Sequence, residues 1–494
     1  MSRTAEAIRN IQTRLSKNGF KLFDYQQEGV EWMLDREFNQ DGDLFTGGIL
    51  ADDPGLGKTI QTISVILGNP VGKTLIVVPV SIINQWRDAI TKIWPEVIIR
   101  INHGSTGQFK TVSELESWNG DIVITGYNQL FNSVGKEFRP TILHHYTWGR
   151  VILDECHIIR NSKTKCFHGA CNIQAEYRWG LSGTPIQNRI KDLKSLFQFL
   201  RFPQNLITSN INGLISQYIK RRNRQIVADK YKELDVKIVD IPFDSVEERE
   251  FYSKVKTCVR EEYLRLVEEG SDNNMNLFEL LLRLRQATIH PNLVIKGMAK
   301  KFDITKPKLW RGPSTKMSKI IELFSNHSTT DKSMIICHYQ EEMDLINNYL
   351  SKAFPNLNIR QFNGSMSLNQ RNDCITSCMR GDVDVLLIQI LCGGVGLNLQ
   401  VFNKVYINTP DWNPSNEIQA IARCHRIGQQ QNVDVYKLII IDPEISSIDG
   451  NILNIQHNKR KLMAEYLSDQ SLEFNGTYQY NSGLTANDFR RLLL

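Results

Sequence analysis

The sequence predicts an α/β protein built on two separate parallel sheets, and three observations carry that expectation. Short apolar runs alternate with amphipathic stretches, the pattern of parallel strands flanked by helices. The alternation occurs twice, once over roughly the first 180 residues and again after residue 330, with a stretch of different texture between. The chain's 494 residues are also too many for one compact core and suit two or three domains.

Taken in order, the first region places strands at GGILA (47–51), TLIVV (74–78), DIVIT (121–125), RVILD (150–154) and RWGLS (178–182). Helices are expected between them at KTIQTISVIL and at SIINQWRDAITKIW, the latter stopped by Pro95. From about Tyr218 to Pro313 the dense charge and helical spacing of EEREFYSKVKTCVREEYLRLVEEG and LFELLLRLRQA predict a helical connector, with SDNNMN (271–276) as a loop. The second region repeats the plan with SMIIC (333–337), IRQF (359–362), DVLLI (384–388), KVYIN (404–408) and DVYKLII (434–440). Helix returns near NILNIQHNKRKLMAEYL (451–467).

Bulk properties narrow the class. No apolar run approaches the ~20 residues that span a bilayer, and the polar, basic start lacks the apolar core of a secretory signal. An intracellular protein without membrane contact is therefore expected. The net charge of +6 is compatible with a polyanionic partner but small for this length. The 9 cysteines are scattered without a CxxC pair, and Cys374 and Cys378 fall one helical turn apart with no histidine nearby. Reduced cysteines packed as small apolar groups are expected, with neither zinc nor disulfides.

The stretch GGILADDPGLGKTIQ runs a strand into a glycine-rich turn and then a helix. Such a turn aims backbone N–H groups and the helix dipole at one spot, which favours a phosphate. Gly55 and Gly57 open backbone angles closed to other residues, Lys58 can neutralise terminal phosphates, and the Thr59 hydroxyl can hold magnesium. The strict phosphate-loop pattern asks for glycine where this chain has Asp52. Further on, RVILDECH sets Asp154 and Glu155 just past a strand end, where ligands gather in parallel sheets. Alone, such a pair is commonly a solvated strand end. With the loop it points to hydrolysis of a nucleoside triphosphate, Asp154 holding the metal through water and Glu155 orienting and deprotonating the attacking water.

DPGLGKT, DECH, LSGTPIQN (181–188), GGVGLNL (393–399) and QAIARCHRIGQ (419–429) stand in the order of the helicase motifs of the Swi/Snf-type ATPases, a branch of the superfamily-two helicases. The chain resembles that family from about residue 20 to 470, including LFDYQQEGVEWM, LIVVPVSIINQW, LLLRLRQATIHPNL and FNGSMSLNQR. The resemblance implies two RecA-like lobes with ATP and Mg2+ between them. It divides the chain into an N-terminal extension (1–20), lobe one (21–222), helical connector (223–313), lobe two (314–445), and a brace helix with tail (446–494).

The resemblance also implies roles. Gln26 would read the adenine edge; Asp52, Asp53, Pro54, Gly55, Leu56, Gly57, Lys58, Thr59 and, from the second lobe, Gly396 would surround the nucleotide. Arg423 and Arg426, read as one helix face, would be arginine fingers reaching the transferring phosphoryl group. His157 with Ser182, Gly183 and Thr184 would couple hydrolysis to the nucleic-acid track. Gln85, Trp86, Gly126, Tyr127, Asn363, Gly364, Gly393, Gly394, Trp412 and Asn413 would line the groove for duplex DNA. KRRNR (220–224) reads either as a basic patch or nuclear signal, or as the family's structural arginine pair.

Departures from the family pattern are Asp53 and Pro54 for glutamate and methionine, Cys156 for alanine, Ala422 for aspartate, and Gln389 and Leu391 for a small hydroxyl and a basic residue. The last two bear on coupling. The expected function is an ATP-dependent translocase on duplex DNA that remodels or displaces a bound protein, whether nucleosome, polymerase or repair factor, in the nucleus or another DNA-containing compartment. A strand-separating DNA or RNA helicase and a nucleotide-binding scaffold without turnover are the alternatives. Compact motors of this kind also occur among large DNA viruses, where the compartment would be the virus factory.

Overall fold

In the computed structural model the described residues are 2–38, 45–132, 138–186, 190–271, 274–393 and 398–467. They form two compact units whose main spans are Met1–Ala228 and Asp229–Lys461. Each is a parallel sheet flanked by helices, the expected fold class.

The first unit holds β1 (Gly47–Leu50), β2 (Thr74–Val78), β3 (Ile99–Asn102), β4 (Ile122–Gly126), β5 (Thr147–Asp154), β6 (Gln174–Leu181) and β7 (Ile219–Lys220). They lie in the order β3-β4-β2-β5-β6-β1-β7, and every pairing is parallel. Central strands buried on both faces must be apolar throughout. β2, TLIVV, is buried along its whole length and is legible in the sequence for that reason.

The sheet is fastened to its helices by a buried ion pair. Arg150 on β5 donates to both oxygens of Glu37, Nε to Oε1 at 2.7 Å and Nη2 to Oε2 at 2.5 Å, and both side chains are essentially inaccessible. Glu37 also accepts from Asn69 Nδ2 at 2.7 Å and Trp179 Nε1 at 2.9 Å. Helix Asp24–Phe38, the end of helix Lys58–Gly68, β5 and β6 thus meet at one carboxylate.

The second unit holds β8 (Leu234–Ile241), β9 (Ser333–Cys337), β10 (Ile359–Phe362), β11 (Val385–Gln389), β12 (Lys404–Ile407) and β13 (Val433–Ile440). Their order is β10-β11-β9-β12-β13-β8, again parallel at every pairing. β8 corrects the expectation of a purely helical connector. Its sequence LDVKIVDI alternates charge with apolar side chains because it is an edge strand, pairing only with β13. The rest of the connector is helical at Val246–Glu268, Asn274–Ile289 and Pro291–Lys301. Of the loop expected at 271–276, residues 272–273 lie outside the described residues and the helix begins at Asn274.

The last helix, Ile448–Leu467, docks on this unit at its start. Asp449 Oδ2 lies 2.7 Å from Lys316 Nζ, both fully buried, and Ile448 and Ile452 pack with Val259, Tyr263, Leu277, Leu281 and Leu284. Six of the cysteines, 156, 337, 374, 378, 392 and 424, are buried.

Replacing Arg150 by alanine strands Glu37 in the core; a loss of about 3–5 kcal/mol is expected, read from denaturant unfolding. His290 gives a pH test. It caps helix Pro291–Lys301 by accepting from Asn292 N at 3.1 Å through Nδ1, and burial lowers its pKa from 6.5 to about 4. The folded chain keeps the ring neutral where the unfolded chain binds a proton. Stability present above pH 6.5 is therefore lost as pH falls toward 4, by about 3 kcal/mol at most. The melting temperature of a His290→Asn variant, which keeps a cap, should fall less over that window.

Candidate nucleotide site and nucleic-acid groove

β1 runs straight into the loop 51–57, and the helix begins at Lys58. Gly55 and Gly57 take φ of +98° and +82°. Gly57 caps the helix with backbone alone, so the first amides face the loop without a side-chain acceptor, as an anion site requires. A Cβ at Gly57 would lie 2.5 Å from Gln26 Nε2. Gln26 is buried against the loop, its Nε2 donating to Leu56 O at 3.2 Å and its Oε1 accepting from Phe23 N at 3.0 Å.

Lys58 Nζ donates to Asp52 O at 2.6 Å and Asp53 O at 3.4 Å. Withdrawal from water lowers its pKa below the usual 10.5, opposed in descending order by the charges of Glu155, Asp52, Asp154 and Asp53. The loop lysine and the DECH carboxylates therefore share one electrostatic site in the first unit.

Asp154 ends β5. Its Oδ1 accepts from Glu155 N at 2.9 Å and its Oδ2 from the Trp86 indole N–H at 2.7 Å. Desolvation first and the neighbouring Glu155 second push its pKa up to about 6, while the indole bond pulls it down. Asp154, so desolvated beside Glu155, belongs to a donor set short of positive charge, which fits a hard divalent cation completed by phosphate oxygens and water. Glu155 itself has left-handed backbone angles, φ +53° and ψ +49°, a conformation costly for a side-chain-bearing residue and one that accumulates at functional sites. His157 Nδ1 stands 3.2 Å from Glu155 Oε2 and 3.1 Å from Ser182 Oγ, which also accepts from Thr184 N at 3.2 Å. The structure thus brings His157, Ser182 and Thr184 together beside Glu155. Gly183 packs on the loop, where a Cβ would meet Pro54 Cδ at 2.8 Å. Gln187 and Asn188 of LSGTPIQN lie outside the described residues.

Two residues expected in the groove have other surroundings. Trp86 is buried and bonded to Asp154, and the Tyr127 hydroxyl donates to Asp154 O at 2.7 Å. Trp86 holds the Asp154 carboxylate and Tyr127 its backbone carbonyl instead of facing a groove, because large rings beside the sheet end are drawn into the core with their polar tips on the nearest acceptor. Gln85 is exposed and Gly126 is buried at the end of β4.

The KRRNR run is a brace. Arg222 donates to Asp52, Nε to Oδ1 at 2.9 Å and Nη2 to Oδ2 at 2.5 Å, and also to Gln61 Oε1 at 2.7 Å and to Tyr25 O. Arg221 donates to Asp53 Oδ1 at 2.9 Å and to Ala51 O and Gly183 O, both at 3.0 Å. Arg224 Nε donates to Pro54 O at 3.1 Å. Asp52 and Asp53, in the place of loop glycine and glutamate, are held by these arginines. Sequence reasoning misses Gln61; its one signal is its place a helical turn after Lys58.

In the second unit, Asn413 caps helix Pro414–Cys424 by accepting from Ser415 N at 3.1 Å, while Trp412 leans on the Tyr263 and Leu277 cluster. Arg423 is in the last turn, but the helix ends at Cys424 and Arg426 lies beyond it. The expectation of both arginines on one helix face is thus corrected. The helix stops because Gln429 turns back and its Nε2 donates to Cys424 O, Gln400 O and Phe402 O at 3.1, 2.8 and 3.2 Å. His425 Nε2 sits 2.7 Å from Lys232 O. Both side chains shape the loop that carries Arg426. Asn363 Oδ1 accepts from Ser365 N and Oγ, and Gly364 N donates to Gln389 Oε1 at 3.2 Å. Gln389 Nε2 reaches His338 O at 3.3 Å, so this departure ties the ends of β9 and β10 across β11. Gly393 ends a short helix, Ile390–Gly393, while Gly394 and Gly396 lie outside the described residues.

Residues 25–293 match the SNF2-related domain, and residues 315–428 match the helicase conserved C-terminal domain. The chain belongs to the SNF2-related family of helicase-like ATPases. The probable global transactivator of Orgyia pseudotsugata multicapsid polyhedrosis virus is 30% identical to it, over 93% of this chain and 94% of that protein. Chromodomain-helicase-DNA-binding protein 7 of Homo sapiens is 27% identical over 86% of this chain, which spans only 15% of that protein. The ATP-dependent DNA helicase DDM1 of Arabidopsis thaliana is 27% identical over 92% of this chain and 64% of that protein.

The Trp86 bond favours ionised Asp154. Trp86→Phe should raise that pKa, so the acid limb of the kcat/KM profile for ATP should move to higher pH by about one unit, the worth of one hydrogen bond to a charged group.

Proposed function

We propose that the chain is a DNA-stimulated ATPase that translocates on duplex DNA and displaces or remodels proteins bound there. The observation that carries the reading is the electrostatic grouping of Lys58 with Asp154 and Glu155 beside a glycine loop at the end of β1. In this reading Lys58 and the loop amides hold the terminal phosphates of ATP, Gln26 lies against the loop to meet the base, and Glu155 orients and deprotonates the attacking water. Thr59 and Asp154 would hold Mg2+, which supplies neutralisation of phosphate charge. Arg423 and Arg426 keep the finger role, worth about 10³–10⁵ in rate in related chemistry.

DNA enters the proposal through the relatives, two of which carry DNA in their names. Asn363-Gly364 and Gln85, with backbone around Trp412-Asn413, are the proposed track, and contacts of this kind fall mostly on phosphate. Weak sequence preference, strong salt dependence and a DNA-containing compartment follow from it.

Lys58→Ala and Glu155→Gln should each lower ATP turnover by at least about 100-fold, and Glu155→Gln should still bind ATP in a nucleotide titration. Wild-type turnover should rise on adding duplex DNA. Turnover indifferent to duplex at every salt concentration would sink the reading.

A further inference from the structure

The run from Lys296 to Gly312, KGMAKKFDITKPKLWRG, carries six basic side chains against Asp303 alone, a surplus of five in a chain of net charge +6. It belongs to none of the motifs described above. Lys296, Lys300, Lys301, Lys306, Lys308 and Arg311 are all exposed. Among the described residues the only ion pair made by any of them is Lys301 with Glu279, at 2.9 Å. Several cations elsewhere on this unit are paired: Arg249 with Asp442 and Glu444, Arg265 with Glu262 and Glu269, Lys319 with Glu322. Lys300 and Lys301 have a second use at the end of helix Pro291–Lys301, where cations suit the dipole. Lys306, Lys308 and Arg311 lie past the helix and have no such use.

The run is also fixed in place. Trp310 N donates to Asn292 Oδ1 at 2.7 Å, Asn292 Nδ2 returns a bond to Trp310 O at 3.2 Å, and Tyr349 OH donates to Gly312 O. Ile304 N donates to Ala299 O at 2.8 Å. The charges therefore ride on a held ridge and not on a loose tail.

We infer that this ridge is a phosphate-contacting surface for duplex DNA, separate from the motif-lined track. Uncompensated cations on a fixed backbone complement a polyanion. An acidic peptide would need a groove to seat its side chains, whereas Lys300 through Lys306 are exposed without interruption. A duplex backbone needs only charge within reach. The inference rests on the DNA reading above, and the test separates the two.

Lys306→Glu, Lys308→Glu and Arg311→Glu are combined, and binding to a random-sequence duplex is measured across a salt series beside ATP turnover. Affinity at low salt should fall at least 10-fold, and the slope of log affinity against log salt should shrink by about 0.9 for each phosphate left without its cation. DNA-free turnover should stay at the wild-type level. The charge-conserving set Lys306→Arg, Lys308→Arg and Arg311→Lys should restore both affinity and slope. Lys306→Ala with Lys308→Ala serves if the reversal lowers the melting temperature. An unchanged affinity and slope overturns the inference while leaving the DNA reading intact; loss of poly-glutamate binding alone overturns it in favour of an acidic protein. A wild-type chain that binds no duplex overturns both.

Discussion

The charges of four carboxylates act on the buried Lys58 ammonium, and balancing them is the constraint on which the first unit depends. Charges out of water must be paired or they destabilise the fold that holds them. Arg222 and Arg221 take Asp52 and Asp53 in close hydrogen-bonded pairs. Asp154 and Glu155 are left to Lys58, with room in the charge balance for a cation. The loop, the helix it opens and the segment 221–224 cannot then be placed independently. The second buried pair, Arg150 with Glu37, fixes the far end of the same helix through Asn69. A phosphate loop strung between two charge anchors has little freedom except in its glycines.

How much of this is legible in the sequence depends on whether the physical cause is local. β2 and β9 are readable to the residue because a strand buried on both faces must be a continuous apolar run. β3 and β8 are edge strands, and their mixed composition resembles linker. The phosphate loop and the two carboxylates can be read because glycine, lysine and acids at strand ends have few other reasons to occur in that order. Trp86 and Tyr127 cannot be placed, because what decides their surroundings is Asp154, 68 and 27 residues away. Arg426 reads as helical because nothing nearby in sequence says that Gln429 will cap Cys424.

Charge runs carry the sharper lesson. KRRNR invites attention in a sequence, yet its arginines are spent on Asp52, Asp53 and Pro54 O. The sparser lysines between 296 and 311 pass unnoticed, yet they are the ones facing water. Sequence density of charge measures neither its availability nor its use; partners distant in the chain decide both.

The arginine brace sits a few residues before the chain leaves the first unit, at the boundary between Ala228 and Asp229. Its bonds to Asp52, Asp53 and Pro54 are made by side chains of the backbone segment that exits there. A displacement of that exit would thus reach the phosphate loop through these hydrogen bonds. One stretch of main chain joins the unit's exit to the loop proposed to hold phosphate, so a pull on the first would be felt by the second without any separate sensor.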